Sequence, residues 1–242
     1  MSAHHGLFDA ASRPGSFLDR LPDGSREVLL ADADVIEARR GTTVFSAEEA
    51  DDRVGIVLDG IARTYIPSSD GRRMSVRYAR PGAMVGSITA GRAALRVQAV
   101  TDCTLVELRM GTLQTCLAAD PQVGIALIAE IAKRLQDTYA TLASNTFGTM
   151  RERVARHILD LSIDDRDGSR MTAPITQQGL ADGVGTVREV VARILRAFRE
   201  EGLIATTPGE IRILDAERLA AIVGRDDGSD VGSPTAILPR ER

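Results

Sequence analysis

The chain has 242 residues, 43% of them hydrophobic, and a formal net charge of −4 at pH 7. This length supports one large domain or two small ones with real cores, and the acidic balance excludes a generally basic coat for unspecific nucleic-acid binding. No apolar run approaches the roughly 18 residues of a membrane span, and the N-terminus has no apolar signal-peptide segment. We therefore expect a cytoplasmic protein without membrane contact.

The first half predicts a small β-barrel. Residues 34–110 alternate short apolar segments with turn signals, after a helical segment near residues 16–32. Turns are expected at Asp59-Gly60, Ser69-Asp70-Gly71 and Pro81-Gly82, and Asp-Gly between apolar strands is a strong hairpin signal. Many short strands with such turns favour a sandwich or jelly roll. The predicted strands are Val35–Ala38, Thr42–Phe45, Val54–Leu58, Ile61–Ile66, Met74–Tyr78, Met84–Val85, Leu95–Ala99 and Thr104–Leu108.

Cysteine and lysine are both scarce. Cys103 and Cys116 are too few for a disulfide framework or a zinc site, or for a four-cysteine iron–sulfur cluster, and no metal site is predicted. Both lie in apolar surroundings, which favours small buried side chains, with a redox switch as the alternative. Of the 30 basic residues only Lys133 is a lysine, and arginine suits bidentate contacts.

A long helix is predicted from Pro121 to about Thr146. Apolar residues repeat every seven positions along it, with a second set offset by three, which is the a/d pattern of a dimer seam. The alternative is a helix packed on the barrel, which its inner edge is expected to touch. Asn145 within the seam would fix the register. The predicted seam residues are Ile128, Ile131, Leu135, Thr138, Leu142 and Asn145.

The last third predicts two short helices joined by a tight turn. Phe147-Gly148 would be a hinge, Arg151–Ser162 a first helix and Asp164–Ser169 a polar loop. Thr176 can cap the next helix through its hydroxyl. Gly185 suits a turn that demands a positive φ, and Gly202 suits the end of the following helix.

That following helix, from about Val187 to Arg199, is amphipathic. Arg188, Glu189 and Arg193 share its polar arc, where arginine and glutamate suit guanine and cytosine edges in a DNA major groove. The alternative is a solvated outer face. Thr176, Gln178 and Thr186 are candidates for phosphate contact. The apolar arc, expected to pack inward, comprises Val187, Val190, Val191, Ile194, Leu195 and Phe198.

A β-hairpin is predicted directly after this helix. Leu203–Thr207 and Ile211–Leu214 would be its strands, around a turn at Pro208-Gly209-Glu210. Two helices at this spacing followed by a hairpin predict a winged helix-turn-helix. Residues 225–242 have the composition of a disordered tail.

The C-terminal pattern resembles the DNA-binding domain of the cyclic-AMP receptor protein (CRP/FNR) family. The resemblance implies base contacts by Arg188, Glu189 and Arg193 to a TGTGA-type half-site, and pairing of two subunits through the long helix. It also implies RNA polymerase as a partner if the protein activates transcription. The residues that carry the resemblance are Thr176-Gln177-Gln178, Gly185, Arg188-Glu189-Val190-Val191, Arg193 and Glu201-Gly202-Leu203-Ile204.

The barrel segment resembles the cyclic-nucleotide-binding domain of the same family, and the two resemblances together span about residues 17–224. The residues that carry the barrel resemblance are Gly41, Phe45, Val57-Leu58, Gly60, Asp70-Gly71, Pro81-Gly82 and Gly86. The family's phosphate-binding cassette departs from its pattern in this chain. Ser87 replaces the glutamate that would hold the ribose 2′-hydroxyl, and strand alternation puts Ala93 at the arginine position. Tyr139 stands where the family has serine, beside a retained Thr138.

A buried cyclic phosphate without a positioned arginine would carry an unpaired charge, which is costly. We therefore expect a different small effector, or none, in preference to cAMP. Haem ligation is a weakly supported alternative, because His4, His5 and His157 are the only histidines. Arg92 and Arg96 are candidate anion partners. The effector-pocket candidates are Gly86, Ser87, Arg92, Ala93, Arg96, Thr138 and Tyr139.

The predicted fold class is α+β: a cyclic-nucleotide-binding-like β jelly roll, a long dimerisation helix and a winged helix-turn-helix. The expected domains are residues 17–119, 120–146 and 147–224, followed by the tail at 225–242. The predicted function is a homodimeric transcriptional regulator that binds double-stranded DNA. The alternatives are a ligand-binding regulator that has lost DNA binding and an enzyme, for which the sequence offers no nucleophile–base pair or phosphate loop.

Overall fold

The structure, a computed structural model, describes residues 13–46, 53–67, 73–86, 95–164 and 171–223. Its helices are α1 (Asp23–Ala31), α2 (Met110–Ala119), α3 (Pro121–Phe147), α4 (Met150–Leu161), α5 (Gln177–Val184), α6 (Arg188–Glu200) and α7 (Ala216–Val223). Its first eight strands are β1 (Asp34–Ala38), β2 (Thr43–Phe45), β3 (Arg53–Asp59), β4 (Ala62–Pro67), β5 (Arg73–Ala79), β6 (Met84–Gly86), β7 (Arg96–Ala99) and β8 (Cys103–Arg109). The last four are β9 (Ile163–Asp164), β10 (Met171–Ala173), β11 (Ile204–Thr207) and β12 (Glu210–Ile213).

Strands β1 to β8 form the predicted jelly roll, called the barrel below. One sheet has the order β1-β8-β3-β6 and the other β2-β7-β4-β5, with antiparallel pairing throughout. Apolar side chains from both sheets, among them Val57, Val97 and Leu105, meet between them, because alternate residues of a strand point to one face. All eight predicted strands are confirmed, each within one residue of its expected bounds.

The hairpin between β3 and β4 depends on a glycine. Gly60 has a φ of +83°, and a Cβ at this position would lie 2.2 Å from the carbonyl oxygen of Asp102. Only glycine both adopts this positive φ without strain and leaves the space next to Asp102 free of a Cβ. Gly82, in the predicted Pro81-Gly82 turn, also has a positive φ, of +88°. The turn predicted at Ser69-Asp70-Gly71 lies outside the described residues.

Both cysteines are buried, as expected. The Sγ atom of Cys103 donates to the carbonyl oxygen of Ile61 at 3.1 Å, and burial raises the pKa of this thiol. Burial also raises the pKa of Cys116, which packs in an apolar cluster with Leu113 and Leu29. A raised pKa keeps both thiols protonated and poorly nucleophilic.

The helices around the barrel differ from the prediction in two places. The helix expected near residues 16–32 begins only at Asp23, because Pro22, at φ −54° and ψ 142°, stands at its N-cap and has no N–H for a helix passing through it. Helix α2 was not predicted. Its N-cap residue Arg109 makes no side-chain capping bond, so the usual sequence signal for a helix start is missing.

The long helix α3 begins at Pro121, as predicted, and ends at Phe147, one residue beyond its predicted end. The Asp120 side chain caps it by accepting a hydrogen bond from the Gln122 N–H at 2.9 Å. Val123, Ala126 and Leu127 are its buried apolar residues and join the cluster beneath the barrel, so the inner edge of α3 does pack as expected. Among the described residues, no helix is both long enough and apolar enough to cross a membrane.

Residues 150–223, called the C-terminal unit below, form the predicted winged helix-turn-helix. A capping box of Thr149 and Glu152 starts α4, and Thr176 caps α5. Gly185 ends α5 in the left-handed conformation, at φ 72°. The predicted hairpin is β11 and β12, which two unpredicted strands extend to a sheet of order β11-β12-β10-β9.

One residue at the start of helix α6 departs from its expected place. Val187 was predicted on the packed apolar arc, but its side chain is 59% exposed. The reason is that α6 starts one residue later: Val187 is the N-cap, with extended backbone at φ −97° and ψ 152°. Val191, Leu195 and Phe198 of the same arc are fully buried.

The C-terminal unit packs on the barrel through Gly183 of α5. A Cβ at this position would lie 2.6 Å from Nε2 of His157 and 3.2 Å from the Tyr78 hydroxyl oxygen. The His157 and Tyr78 rings meet edge to face, with centroids 5.2 Å apart. Ile61 of the barrel also belongs to the core of the C-terminal unit. A side chain at position 183 would therefore push α5 away from β5.

We expect Gly183→Ala to lower the free energy of unfolding by about 1–3 kcal/mol, the usual cost of an overpacked site. Gly111→Ala is the matched control, because nothing lies within 4 Å of a Cβ at this position near the start of α2. Urea denaturation followed by circular dichroism measures both variants. Equal stability of Gly183→Ala and the parent protein would contradict the close contact.

Candidate nucleic-acid interface

Helix α6 presents its polar side chains away from the core. Arg188, Glu189 and Arg193 are all exposed, while Leu195 and Phe198 anchor the opposite side at full burial. The first two lie in the first turn of the helix. The three predicted base-reading residues are thus on the accessible face of one rigid element.

Contacts at its far end hold α6 in place. The Arg151 guanidinium forms an ion pair with Glu201, with Nη2 2.6 Å from Oε2, and lies over the Phe198 ring at 4.6 Å from the centroid. Arg199 donates to the Thr206 hydroxyl of β11 at 3.2 Å. The helix is therefore fixed both to α4 and to the hairpin.

A groove of about 580 Å³ runs between α5, α6 and the hairpin. It brings together Arg188, Thr176 and Gln178, three of the predicted contact residues. The Thr176 hydroxyl accepts from the Gly179 N–H at 3.0 Å, and Gln178 donates to Asp182 at 2.8 Å. Thr186 is not part of this groove. Its backbone N–H donates to the carbonyl oxygen of Ala181 at 2.9 Å.

The exposed face of α6 has the chemistry needed to read base edges. A guanidinium can donate two hydrogen bonds to O6 and N7 of guanine, and a carboxylate can accept one from N4 of cytosine. An α-helix fits the width of the major groove. Arg188, Glu189 and Arg193 are already exposed, so they can reach a partner without any movement of the buried side of α6.

A second set of polar side chains lies where α3 passes β6. Arg134 donates to the carbonyl oxygen of Gly86 at 3.4 Å, and its Nε lies 3.6 Å from the Glu130 carboxylate. Burial lowers the pKa of Arg134 to about 10. Arg77 of β5 donates to the carbonyl oxygen of Met84. Sequence reasoning missed both arginines, because on a helix and a strand they resemble ordinary surface residues.

The other predicted effector-pocket residues are only partly described. Ser87, Arg92 and Ala93 lie outside the described residues. Arg96 begins β7 and pairs with Tyr65 of β4. The Thr138 hydroxyl donates back to the Arg134 carbonyl oxygen at 2.8 Å, and Tyr139 is exposed.

An apolar stripe is exposed along α3. Ile128 is 68% exposed and Leu142 58%, and apolar side chains exposed in a continuous row mark an interaction surface. Of the remaining predicted seam residues, Thr138 and Asn145 are half-buried. Ile125, which was not predicted, extends the stripe toward the start of the helix. The exposed members are Ile125, Ile128, Ile131, Leu135, Tyr139 and Leu142.

Comparison with known families assigns a match to each half of the chain. Residues 35–120 match the family described as the cyclic nucleotide-binding domain. Residues 152–222 match the Crp-like helix-turn-helix domain. The first range covers the strands of the barrel from β1 to β8, and the second covers the helix-turn-helix and hairpin.

Relatives carry both halves together. A CRP-like cAMP-activated global transcriptional regulator from Mycobacterium tuberculosis is 29% identical over 192 residues, covering 76% of this chain and 86% of the relative. The nitrogen fixation regulation protein FixK of Azorhizobium caulinodans is 29% identical, with 75% of each chain covered. The crystal structure of a putative crp/fnr-family regulator from Eubacterium rectale has the same fold, with a TM-score of 0.69 at 22% identity over 88% of this chain and 98% of that one. With a barrel, a winged helix-turn-helix and relatives of this kind, the chain belongs to the CRP/FNR family of transcriptional regulators.

Proposed function

We propose that the protein is a homodimeric regulator that reads a TGTGA-type inverted repeat. In this proposal residues 17–119 are the effector domain, 120–146 the dimerisation helix and 147–224 the DNA-binding domain. The observation that carries it is the exposure of Arg188, Glu189 and Arg193 together on α6. Membership of a family of transcriptional regulators with a helix-turn-helix domain supports it.

Each base-reading residue has a distinct role in this proposal. Arg188 and Arg193 donate to guanine O6 and N7, and Glu189 accepts from cytosine N4. Thr176, Gln178 and Thr186 contact phosphates, which sets the register of α6 without reading sequence. The position of Thr176 and Gln178 beside Arg188 in one groove supports this division of work.

A second copy of the chain is the proposed partner of the α3 stripe. Ile128, Leu135 and Leu142 follow the seven-residue repeat of a two-stranded coiled coil, with Ile131 offset by three, and pairing would remove them from water. In such a dimer the two copies of α6 enter successive major grooves about 34 Å apart. This two-fold arrangement matches an inverted repeat.

The Mycobacterium tuberculosis relative is described as cAMP-activated, whereas this chain has Ser87 in place of the cassette glutamate. We propose that the barrel responds to another small molecule or acts without one.

Arg188→Ala should weaken binding to the inverted repeat by about 1–3 kcal/mol per half-site and relax the preference at one base pair. The reason is that a bidentate contact to guanine is lost while phosphate contacts remain. Fluorescence anisotropy with the repeat and its single-base variants measures both effects. Arg39→Ala is the control, since it removes one exposed arginine from the barrel. An Arg188→Ala protein with unchanged preference would refute the assignment, and a parent protein without specific binding would favour the ligand-binding alternative.

Leu135→Glu should convert the dimer to a monomer, because two carboxylates would meet in an apolar seam where charge is costly. Sedimentation equilibrium measures the change. Lys133→Glu is the matched control on the same helix, since Lys133 is exposed and outside the stripe. A Leu135→Glu protein that remains dimeric would place the dimer contact elsewhere.

Cyclic AMP should leave operator affinity unchanged. A coupled effector would change the affinity for the operator by about 5- to 150-fold. Anisotropy titrations with and without saturating cAMP therefore distinguish a protein that senses cAMP from one that does not. The control is DNA alone with the nucleotide. A cAMP-dependent gain within that range would show that this cassette, despite Ser87, still senses the nucleotide.

A further inference from the structure

A cleft of about 360 Å³ lies where β5, the second half of α3 and helix α4 meet. This volume is within the range of pockets that hold small ligands. Gly86 and Thr138, two of the expected effector-pocket residues, and the neighbouring Arg134 are not among its walls. The cleft shares Arg77 with that region and is bounded by both the barrel and the C-terminal unit.

The walls of the cleft carry a surplus of positive charge. His157 adds none, because burial, together with the charges of Arg63 and Arg153, lowers its pKa to about 3 and leaves the imidazole neutral. Four guanidinium groups face two carboxylates, so two positive charges have no counterpart among the cleft's walls. The charged residues are Arg77, Arg80, Arg153, Arg156, Asp137 and Asp160.

Two of the arginines are engaged in building the cleft. Arg80 donates from β5 to the α4 carbonyl oxygens of Asp160 at 2.9 Å and Leu159 at 3.3 Å. Arg77 donates to the Met84 carbonyl oxygen and lies 3.9 Å from the Asp137 carboxylate. These contacts satisfy the barrel side of the cleft.

The α4 side is left with unsatisfied polar atoms. Nε of Arg153, Nε of Arg156 and Nε2 of His157 are buried without a hydrogen-bond partner among the described residues. Buried donors are nearly always paired, so each such atom requires an explanation. Arg153 makes a bond through its other nitrogen, to the Val184 carbonyl oxygen, which fixes the guanidinium at the cleft.

We propose that this cleft binds a small ligand carrying a phosphate dianion, with Arg153 and Arg156 as its donors. A dianion matches the two surplus positive charges. Guanidinium groups bind phosphate oxygens through charge-assisted hydrogen bonds, and such bonds satisfy the two unpaired Nε atoms. The ligand contacts α4 from a space also walled by β5, so it joins the C-terminal unit to the barrel.

Inorganic phosphate is the probe, added to the full-length protein in phosphate-free buffer at constant ionic strength. We expect saturable binding by calorimetry, accompanied by a shift of the His157 imidazole NMR signal, with His4 and His5 unaffected. Arg156→Gln should weaken binding at least about tenfold, as the loss of a charge-assisted bond does, while Arg156→Lys keeps most of it. Arg39→Gln is the control and should bind as the parent does.

Two results would overturn the proposal. One is the absence of saturable binding at millimolar phosphate. The other is binding that survives Arg156→Gln and disappears in Arg134→Gln, which would locate the anion at the barrel. Thermal melting checks that each variant is folded, and the His157 signal of the parent protein tests the site without any substitution.

Discussion

The arrangement of the two halves depends on the absence of a side chain at Gly183. Helix α5 lies so close to α4 and β5 that a Cβ would fall 2.6 Å from the His157 imidazole of α4 and 3.2 Å from the Tyr78 hydroxyl oxygen of β5. The His157 ring in turn packs edge-on against Tyr78 of the barrel. Because burial lowers the pKa of His157 to about 3 and keeps the imidazole neutral, the contact brings no charge into the boundary. Helix α6 follows α5, so its direction relative to the barrel is set by this packing.

Local sequence signals were sufficient for much of the fold. The Asp59-Gly60 turn and the strands around it were predictable because a hairpin is decided by its own few residues. Helix α6 was predictable because its apolar period and exposed Arg188 and Arg193 lie within one short segment. Pro22 shows the limit of periodicity, since one residue without an N–H shortened a helix that the apolar pattern extended.

Tertiary contacts decided what the sequence could not indicate. His157 and Arg156 lie on an ordinary amphipathic helix, and nothing local distinguishes a solvated arginine from one held in a cleft. The cleft around them is completed by β5, which is distant in the chain, and by the second half of α3. The same holds for Arg134, whose pKa of about 10 follows from desolvation between α3 and the barrel. Such sites become visible only when separate elements are assembled.

The scarcity of lysine has a consequence for regulation by modification. Every basic side chain of α6, which we propose faces DNA, is an arginine, and the chain's only lysine, Lys133, lies on the long helix. Acylation of side-chain amines removes positive charge from lysine and leaves guanidinium groups intact. The positive charge that we propose faces DNA therefore cannot be removed by acylation, and it is also constant at every physiological pH.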